Sequence, residues 1–158
     1  MEATDVLPFA GWRVDAPEGA TEPFSGVPLI RARVLAITDR CWACRAKVRG
    51  VVGVLIQMSG ADRFAPFTEV AETLASAVDS RLLAARGIGP LRHRDSPGIP
   101  GGYVSNGCVQ CDALLGRILL DDLLDEHLRD GGTYGQLDTG LAVTLRIPRI
   151  LSLLHRSA

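Results

Sequence analysis

The sequence predicts an α+β fold: a small antiparallel sheet carrying two cysteine-bearing turns, one long helix and a short second helix. Three observations predict it. Two segments have the composition or alternation of β-strands, one long segment has apolar residues at helical spacing, and all four cysteines fall in two Cys-x-x-Cys motifs. A chain of 158 residues, 47% of them hydrophobic, is large enough to form one core.

The first 28 residues differ in composition from the rest of the chain. They combine four prolines with scattered glycines and acids, and Trp12 and Phe24 are candidates to anchor them. We expect an irregular N-terminal arm over residues 1–28 and a single α+β domain over residues 29–158.

Two strands are predicted around the first Cys-x-x-Cys motif. The segment LIRARVLAITDR, residues 29–40, alternates apolar and polar side chains as a half-buried strand does. Its apolar positions are Ile30, Ala32, Val34 and Ala36. The segment KVRGVVGVLIQM, residues 47–58, is β-branched and predicts a second strand antiparallel to the first. The first motif therefore lies in a turn between two strands.

The rest of the chain predicts two helices, a loop and a final strand. Residues 66–87, PFTEVAETLASAVDSRLLAARG, have apolar residues at helical spacing and a glycine suited to ending a helix. Residues 87–102 contain five glycines and three prolines, which predict a long loop. LLDDLLDEHLRD, residues 119–130, predicts a short second helix, and LAVTLRI, residues 141–147, predicts a last strand.

The cysteines form two motifs, CWACR with Cys41 and Cys44, and NGCVQCD with Cys108 and Cys111. A spacing of two residues allows both sulfurs to turn toward one point, and four thiolates are a ligand set that tetrahedral Zn²⁺ prefers. We therefore expect one zinc ion held by these four residues. Because four thiolates fill every coordination position, no water remains on the metal to be activated, and the zinc should be structural.

Two other uses of the cysteines were weighed against metal binding. A pair of structural disulfides would close loops too small to stabilise much, and disulfides are rare in a reducing cytosol. A thioredoxin-like redox site uses one such motif between a strand and a helix, whereas this chain has two. Metal binding is favoured because unrelated cysteines would not fall into two matched spacings.

These motifs resemble the zinc-ribbon and treble-clef class, in which a Cys-x-x-Cys zinc knuckle on a hairpin and a second Cys-x-x-Cys close one zinc site. The resemblance covers residues 34–57 and 104–120, and it implies the four cysteines as ligands. The 63 residues between the motifs exceed the spacer of ordinary ribbons, which implies a helix and a long loop inserted between the two knuckles. The whole chain also resembles a bacterial family with this layout, and that resemblance implies no activity.

An enzyme is the alternative from a different functional class. Some nucleases of the HNH class hold a catalytic ββα motif between two such cysteine pairs, and they need two or three histidines or asparagines in order. Between its motifs this chain offers only His93 and Asn106, and we expect Asn106 to shape the second knuckle turn. An enzyme or nucleic-acid-processing protein with a site in the Arg92–Gly102 loop stays open, but the sequence favours an interaction module.

A second group of candidate binding residues lies in or beside the predicted loop: Arg86, Arg92, His93 and Arg94. Arginines on glycine-rich backbone can contact a phosphate or an acidic protein. A formal net charge of −1 and an aromatic content of 5% predict only weak, salt-sensitive binding of nucleic acid. A protein partner is the other expectation.

Charge is segregated along the chain. Residues 31–49 carry a net charge of +5 and residues 112–130 carry −4, and we expect the two segments to neutralise each other if the motifs meet. Apolar runs fall far short of the roughly 20 residues that cross a bilayer, and the N-terminal segment lacks the pattern of a secretory signal. The sequence predicts a cytoplasmic protein that does not contact a membrane.

Overall fold

The computed structural model describes residues 29–58 and 60–146. The expected arm over residues 1–28 and Ile147 of the predicted last strand lie outside them. The strands β1 to β7 are Leu29–Arg40, Lys47–Ile56, Arg63–Pro66, Arg92–Ser96, Ile99–Gly107, Leu114–Leu115 and Asp138–Arg146. The helices α1 to α3 are Phe67–Ala77, Ser80–Ala84 and Arg117–Arg129, and a 3-10 turn spans Tyr134–Leu137. Within the described residues no helix is long and apolar enough to span a bilayer.

The strands form two antiparallel sheets, which confirms the predicted α+β class. The first sheet has the order β3-β2-β1-β7 and the second has the order β4-β5-β6. In the first sheet β1 and β2 form the predicted hairpin, and Val52 is an extra residue that bulges out of their pairing. A parallel bridge between Arg49 and Ile88 joins β2 to the segment that leads into the second sheet.

Both faces of the first sheet are covered. On one face the four residues that alternate along β1 pack with α1, as expected from their spacing. On the other face Leu35 of β1 and Val52 of β2 pack with Leu120 and Leu124 of α3. This second core also includes Cys41 and Cys108. The cysteine motifs therefore sit at the edge of the core that α3 covers.

The predicted long loop over residues 87–102 is wrong, because most of these residues form a β-hairpin. β4 and β5 pair from Arg92 opposite Ser105 to Ser96 opposite Ile99. The glycines allow this pairing rather than prevent it: Gly101 and Gly102 have φ angles of 79° and 68° where the register shifts. A high content of glycine and proline predicts irregular structure, whereas here these residues serve the turn and the bulge.

The predicted long helix over residues 66–87 is interrupted. α1 ends at Ala77, Val78 is extended, and Asp79 starts α2 by accepting a hydrogen bond from the N–H of Arg81 at 2.8 Å. The predicted short helix is the longer one, since α3 has 13 residues and α1 has 11. An aspartate in the middle of a helical pattern acts here as a cap, which the apolar spacing alone does not reveal.

Candidate metal centre

The first Cys-x-x-Cys motif forms a tight turn between β1 and β2, which we call the first knuckle, residues 41–45. The N–H of Cys41 donates to the carbonyl of Ala46 at 2.9 Å, and the N–H of Arg45 donates to the carbonyl of Cys41 at 2.9 Å. Arg45 has a φ of 66°, the left-handed conformation that reverses the chain after the second cysteine. These bonds turn both cysteine side chains toward the same side.

The second motif, residues 108–112, repeats this geometry and is called the second knuckle. The N–H of Cys108 donates to the carbonyl of Ala113 at 2.9 Å, and the N–H of Asp112 donates to the carbonyl of Cys108 at 2.9 Å. Asp112 has a φ of 60°, at the position that Arg45 occupies in the first knuckle. The predicted loop over residues 87–102 and helix over residues 119–130 would flank this motif, but it lies between β5 and β6, and α3 follows.

The four sulfur atoms of the two knuckles converge. The Sγ atoms of Cys41 and Cys111 are 3.6 Å apart, those of Cys44 and Cys108 are also 3.6 Å apart, and all four lie within 4.8 Å of one another. Sulfurs at about 2.3 Å from a central tetrahedral ion would be about 3.8 Å apart. The separations are far longer than the roughly 2.05 Å of a disulfide, and all four cysteines are free thiols. The arrangement could therefore hold a metal ion.

Backbone N–H groups and the neighbouring thiols together give Cys41 and Cys44 different pKa values. The N–H of Cys44, followed by that of Ala43, lowers the pKa of Cys41 to about 6, against the effect of its burial. For Cys44 a hydrogen bond from the N–H of Ala46 also lowers the pKa. Burial and the three neighbouring thiols outweigh it and raise the pKa of Cys44 to about 12. In the second knuckle the N–H of Gln110 donates to Cys108 Sγ at 3.3 Å. Such donors stabilise the thiolates that a metal requires.

The site has a buried side and an exposed side. Cys41 and Cys108, the first cysteine of each knuckle, are buried in the core beneath α3, whereas Cys44 and Cys111 are exposed. Trp42 joins the first knuckle to β6, because its Nε1 donates to the carbonyl of Leu114 at 2.9 Å, two residues after the second knuckle. A hydrogen bond thus holds the first knuckle beside the strand that follows the second knuckle.

Arg94 attaches the β4–β5 hairpin to the second knuckle. Its guanidinium is buried and donates to the carbonyl of Ser105 at 2.7 Å, to that of Pro90 at 3.0 Å and to the carboxylate of Asp112. Arg92 donates to the other oxygen of that carboxylate. Burial, followed by repulsion from Arg92, lowers the pKa of Arg94. The knuckle residue next to Cys111 is therefore held by two arginines of β4.

Asn106 joins the two sheets, a role that the sequence analysis missed. Its Oδ1 accepts from the N–H of Val51 at 2.7 Å, and its Nδ2 donates to the carbonyl of Val51 at 2.8 Å. β3 pairs with β2 only from Gly53 onward, so Asn106 supplies the hydrogen bonds that a further residue of β3 would make. The expected turn-shaping role is wrong, since both side-chain bonds are to β2, 55 residues away in the chain.

The structure separates the candidate residues of the predicted loop. Arg92 and Arg94 meet at Asp112, whereas Arg86 donates to the carbonyls of Thr139 and Leu82, beside β7 and α2. His93 is exposed on β4, paired with Val104. A cavity of about 110 Å³ lies between α1, β5 and α3, and its lining includes neither His93 nor Arg94. Arg86 therefore has different partners from Arg92 and Arg94.

Comparison of the chain with protein-family models, with curated proteins and with solved structures finds no match. The geometry of the two knuckles and their surroundings is therefore the observation that bears on function.

Proposed function

We propose that this chain is an interaction module built around one structural zinc ion, held by Cys41, Cys44, Cys108 and Cys111. The convergence of four thiols from two matched knuckles within 4.8 Å supports it. The donor set fits the group: four sulfurs at near-tetrahedral spacing, with backbone N–H groups directed at them, match the ligand preference of Zn²⁺. The first knuckle on the β1–β2 hairpin also supports the resemblance to the zinc-ribbon and treble-clef class.

The proposed role of the metal is to join two sheets. Cys41 and Cys44 follow the end of β1 in the first sheet, and Cys108 and Cys111 follow the end of β5 in the second. An ion shared by the knuckles would cross-link segments that are far apart in the chain. Because all four positions would be filled by thiolates, the ion would have no open site for catalysis.

The partners and the compartment follow from the same proposal. We propose that the module acts by contact with a macromolecular partner, either a protein or, more weakly, a nucleic acid. Free thiols persist in a reducing compartment, so we place the protein in the cytoplasm.

Metal analysis of the purified full-length protein tests the proposal. We expect about one zinc per chain and no visible absorption, whereas iron, which four-sulfur sites also bind, would colour the protein. Cobalt substitution should give the spectrum of a tetrahedral all-sulfur site that does not change when anions are added. Absence of metal, or a disulfide within each knuckle, would overturn the proposal. A cobalt spectrum with an open coordination position would favour the enzyme alternative instead.

A further inference from the structure

The exposed side of the first knuckle has an unusual composition. We call Arg40, Trp42, Arg45 and Lys47 the knuckle surface, and all four are exposed. Trp42 keeps 67% of its surface accessible, although most large apolar side chains of the described residues are buried. Residues 40–47 contain three cations and no acid. This short segment combines a large aromatic ring with concentrated positive charge.

The cations of the knuckle surface have no carboxylate partner within the described residues. The ion pairs there join Arg33 to Asp62 and Asp138, and Arg92 and Arg94 to Asp112. None of them joins the basic segment 31–49 to the acidic segment 112–130, so the expected neutralisation between the two is not achieved by ion pairing there. A polyanion could reach Arg40, Arg45 and Lys47 without displacing an acid, whereas Arg92 and Arg94 would first have to leave Asp112.

The ring of Trp42 is exposed but held in place. Its Nε1 is the only polar atom of the indole, and its hydrogen bond to the carbonyl of Leu114 satisfies that atom. The other atoms of the indole are carbons, so the rest of the ring is apolar. Because the hydrogen bond already orients the side chain, little further rotational freedom is lost when a flat ligand stacks on it. Exposed aromatic rings beside cations are the elements with which proteins bind unpaired bases and their phosphates.

We propose that the knuckle surface binds single-stranded nucleic acid, with one base stacked on Trp42 and the adjoining phosphates paired with Arg40, Arg45 and Lys47. A single strand fits better than a duplex because only unpaired bases expose a face for stacking. This function goes beyond the structural metal, and it rests on the proposed metal centre only in that a bound ion would hold the knuckle closed. It also places the contact away from Arg86, Arg92 and Arg94.

Tryptophan fluorescence tests the stacking step. In the full-length Trp12→Phe variant Trp42 is the sole tryptophan, and a ten-nucleotide oligothymidylate added at low salt should quench its emission. Affinities of further variants are measured by fluorescence anisotropy of the labelled oligonucleotide. Trp42→Ala should weaken binding about tenfold, and Trp42→Phe, which keeps an aromatic ring but loses the bond to Leu114, should weaken it less. Leu82→Ala removes another exposed apolar side chain, on α2, and should change nothing.

Salt dependence tests the phosphate contacts. The Arg40→Ala/Lys47→Ala variant should bind more weakly than the unmodified protein, and the slope of log K against log[salt] should fall by about 1.4. The control Arg31→Ala/Arg81→Ala removes two exposed arginines elsewhere and should leave the slope unchanged. Metal content is measured for every variant, so that a lost knuckle is distinguished from a lost contact.

Three results would overturn the proposal. One is the absence of quenching at protein and oligonucleotide concentrations of about 100 μM, which is the weak end of the usual range of Kd for non-specific binding. Another is unchanged affinity of a fully metal-loaded Trp42→Ala protein. The third is a loss of oligonucleotide affinity in Arg92→Ala that equals or exceeds the loss in Trp42→Ala, which would show that the nucleic acid contacts β4. If the protein contains zinc but does not bind the oligonucleotide, this inference is refuted and the proposed metal function is not. A protein would then be the better candidate to contact the Trp42 ring.

Discussion

Two buried polar residues, Asn106 and Arg94, connect the elements around the cysteines. Asn106 is 2% exposed and pairs with both backbone groups of Val51, and Arg94 is 9% exposed and bonds to carbonyls and to Asp112. A buried polar group is costly unless it is paired, so these bonds offset the desolvation of the Asn106 amide and part of that of Arg94, whose Nε is buried without a partner among the described residues. Gly107 is required beside them, because a Cβ there would collide with the guanidinium of Arg94. Single side chains thus fix where the second knuckle lies.

Replacing Asn106 with leucine should lower the free energy of unfolding by about 2–4 kcal/mol. Leucine is similar in size, but it leaves the N–H and carbonyl of Val51 buried without a partner. Urea denaturation of the metal-loaded protein measures the loss. Gln57→Leu also replaces a side-chain amide with leucine, but at an exposed position, and should shift stability by less than about 0.5 kcal/mol. Similar small effects in both variants would show that the Asn106 bonds are not needed.

At the scale of elements, the close packing of α3 against β2 covers the core beneath the cysteines. Gly50 of β2 faces Leu120 of α3, and a Cβ at Gly50 would lie 2.6 Å from a methyl carbon of that leucine. The helix can approach this closely because no side chain is present on the strand at that point. Leu120 fills the space and is itself 2% exposed, so the two positions form one packing unit.

Because Gly50 and Leu120 pack together, we expect the effects of substituting them on the free energy of unfolding to be non-additive. Gly50→Ala should cost about 1–3 kcal/mol through overpacking, and Leu120→Ala about 2–4 kcal/mol through a cavity. The double variant should be more stable than the sum of the two losses predicts, by more than about 0.5 kcal/mol, since alanine at position 50 would occupy part of the cavity. Chemical denaturation of all three proteins gives the coupling.

Gly98→Ala is the control for the glycine substitution, because a Cβ there would meet nothing within 4 Å. It should change stability by less than about 0.5 kcal/mol. Strict additivity of the two core substitutions would mean that α3 moves away from β2 rather than pressing against it.

Across the whole molecule, the sulfur cluster is one of the places where the two sheets meet, together with the Asn106–Val51 hydrogen bonds. One knuckle follows β1 of the first sheet and the other follows β5 of the second. Hydrogen bonds of Asn106, Trp42 and Arg94 connect the knuckles and the adjoining strands with their surroundings. The second core holds a buried cysteine from each knuckle next to residues of both sheets and of α3. If the cluster binds zinc as proposed, metal binding and folding are coupled, because the four ligands come together only in the folded chain.

Cys108→Ser should therefore destabilise the whole fold rather than one turn. We expect the melting temperature to fall by roughly 10 °C or more and the transition to broaden, as it should when the unmodified protein is treated with a strong chelator. Calorimetry and circular dichroism measure both. Gln110→Ser, at an exposed position of the same knuckle, should melt like the unmodified protein. A sharp transition at the original temperature in metal-free Cys108→Ser would show that the sheets hold together without the ion.

Parts of the fold were open to prediction because their signals are local. The alternation in β1 placed Ile30, Ala32, Val34 and Ala36 on one face, where they are all buried. The hairpin around the first knuckle and the existence of α1 and α3 followed in the same way. The β4–β5 hairpin was missed because backbone pairing with β5 outweighs the irregular composition of residues 87–102.

The sequence by itself determined the candidate ligand set and the α+β class, because a two-residue cysteine spacing and the periods of strands and helices are properties of neighbouring residues. Only the tertiary structure decided what Arg94 and Asn106 do, since their partners Asp112 and Val51 lie 18 and 55 residues away. It also decided that both faces of the first sheet are covered and which cations stay unpaired in the described chain. The physical reason is that a charge or a buried amide is satisfied by whichever group folding brings into contact, and no local pattern specifies that group.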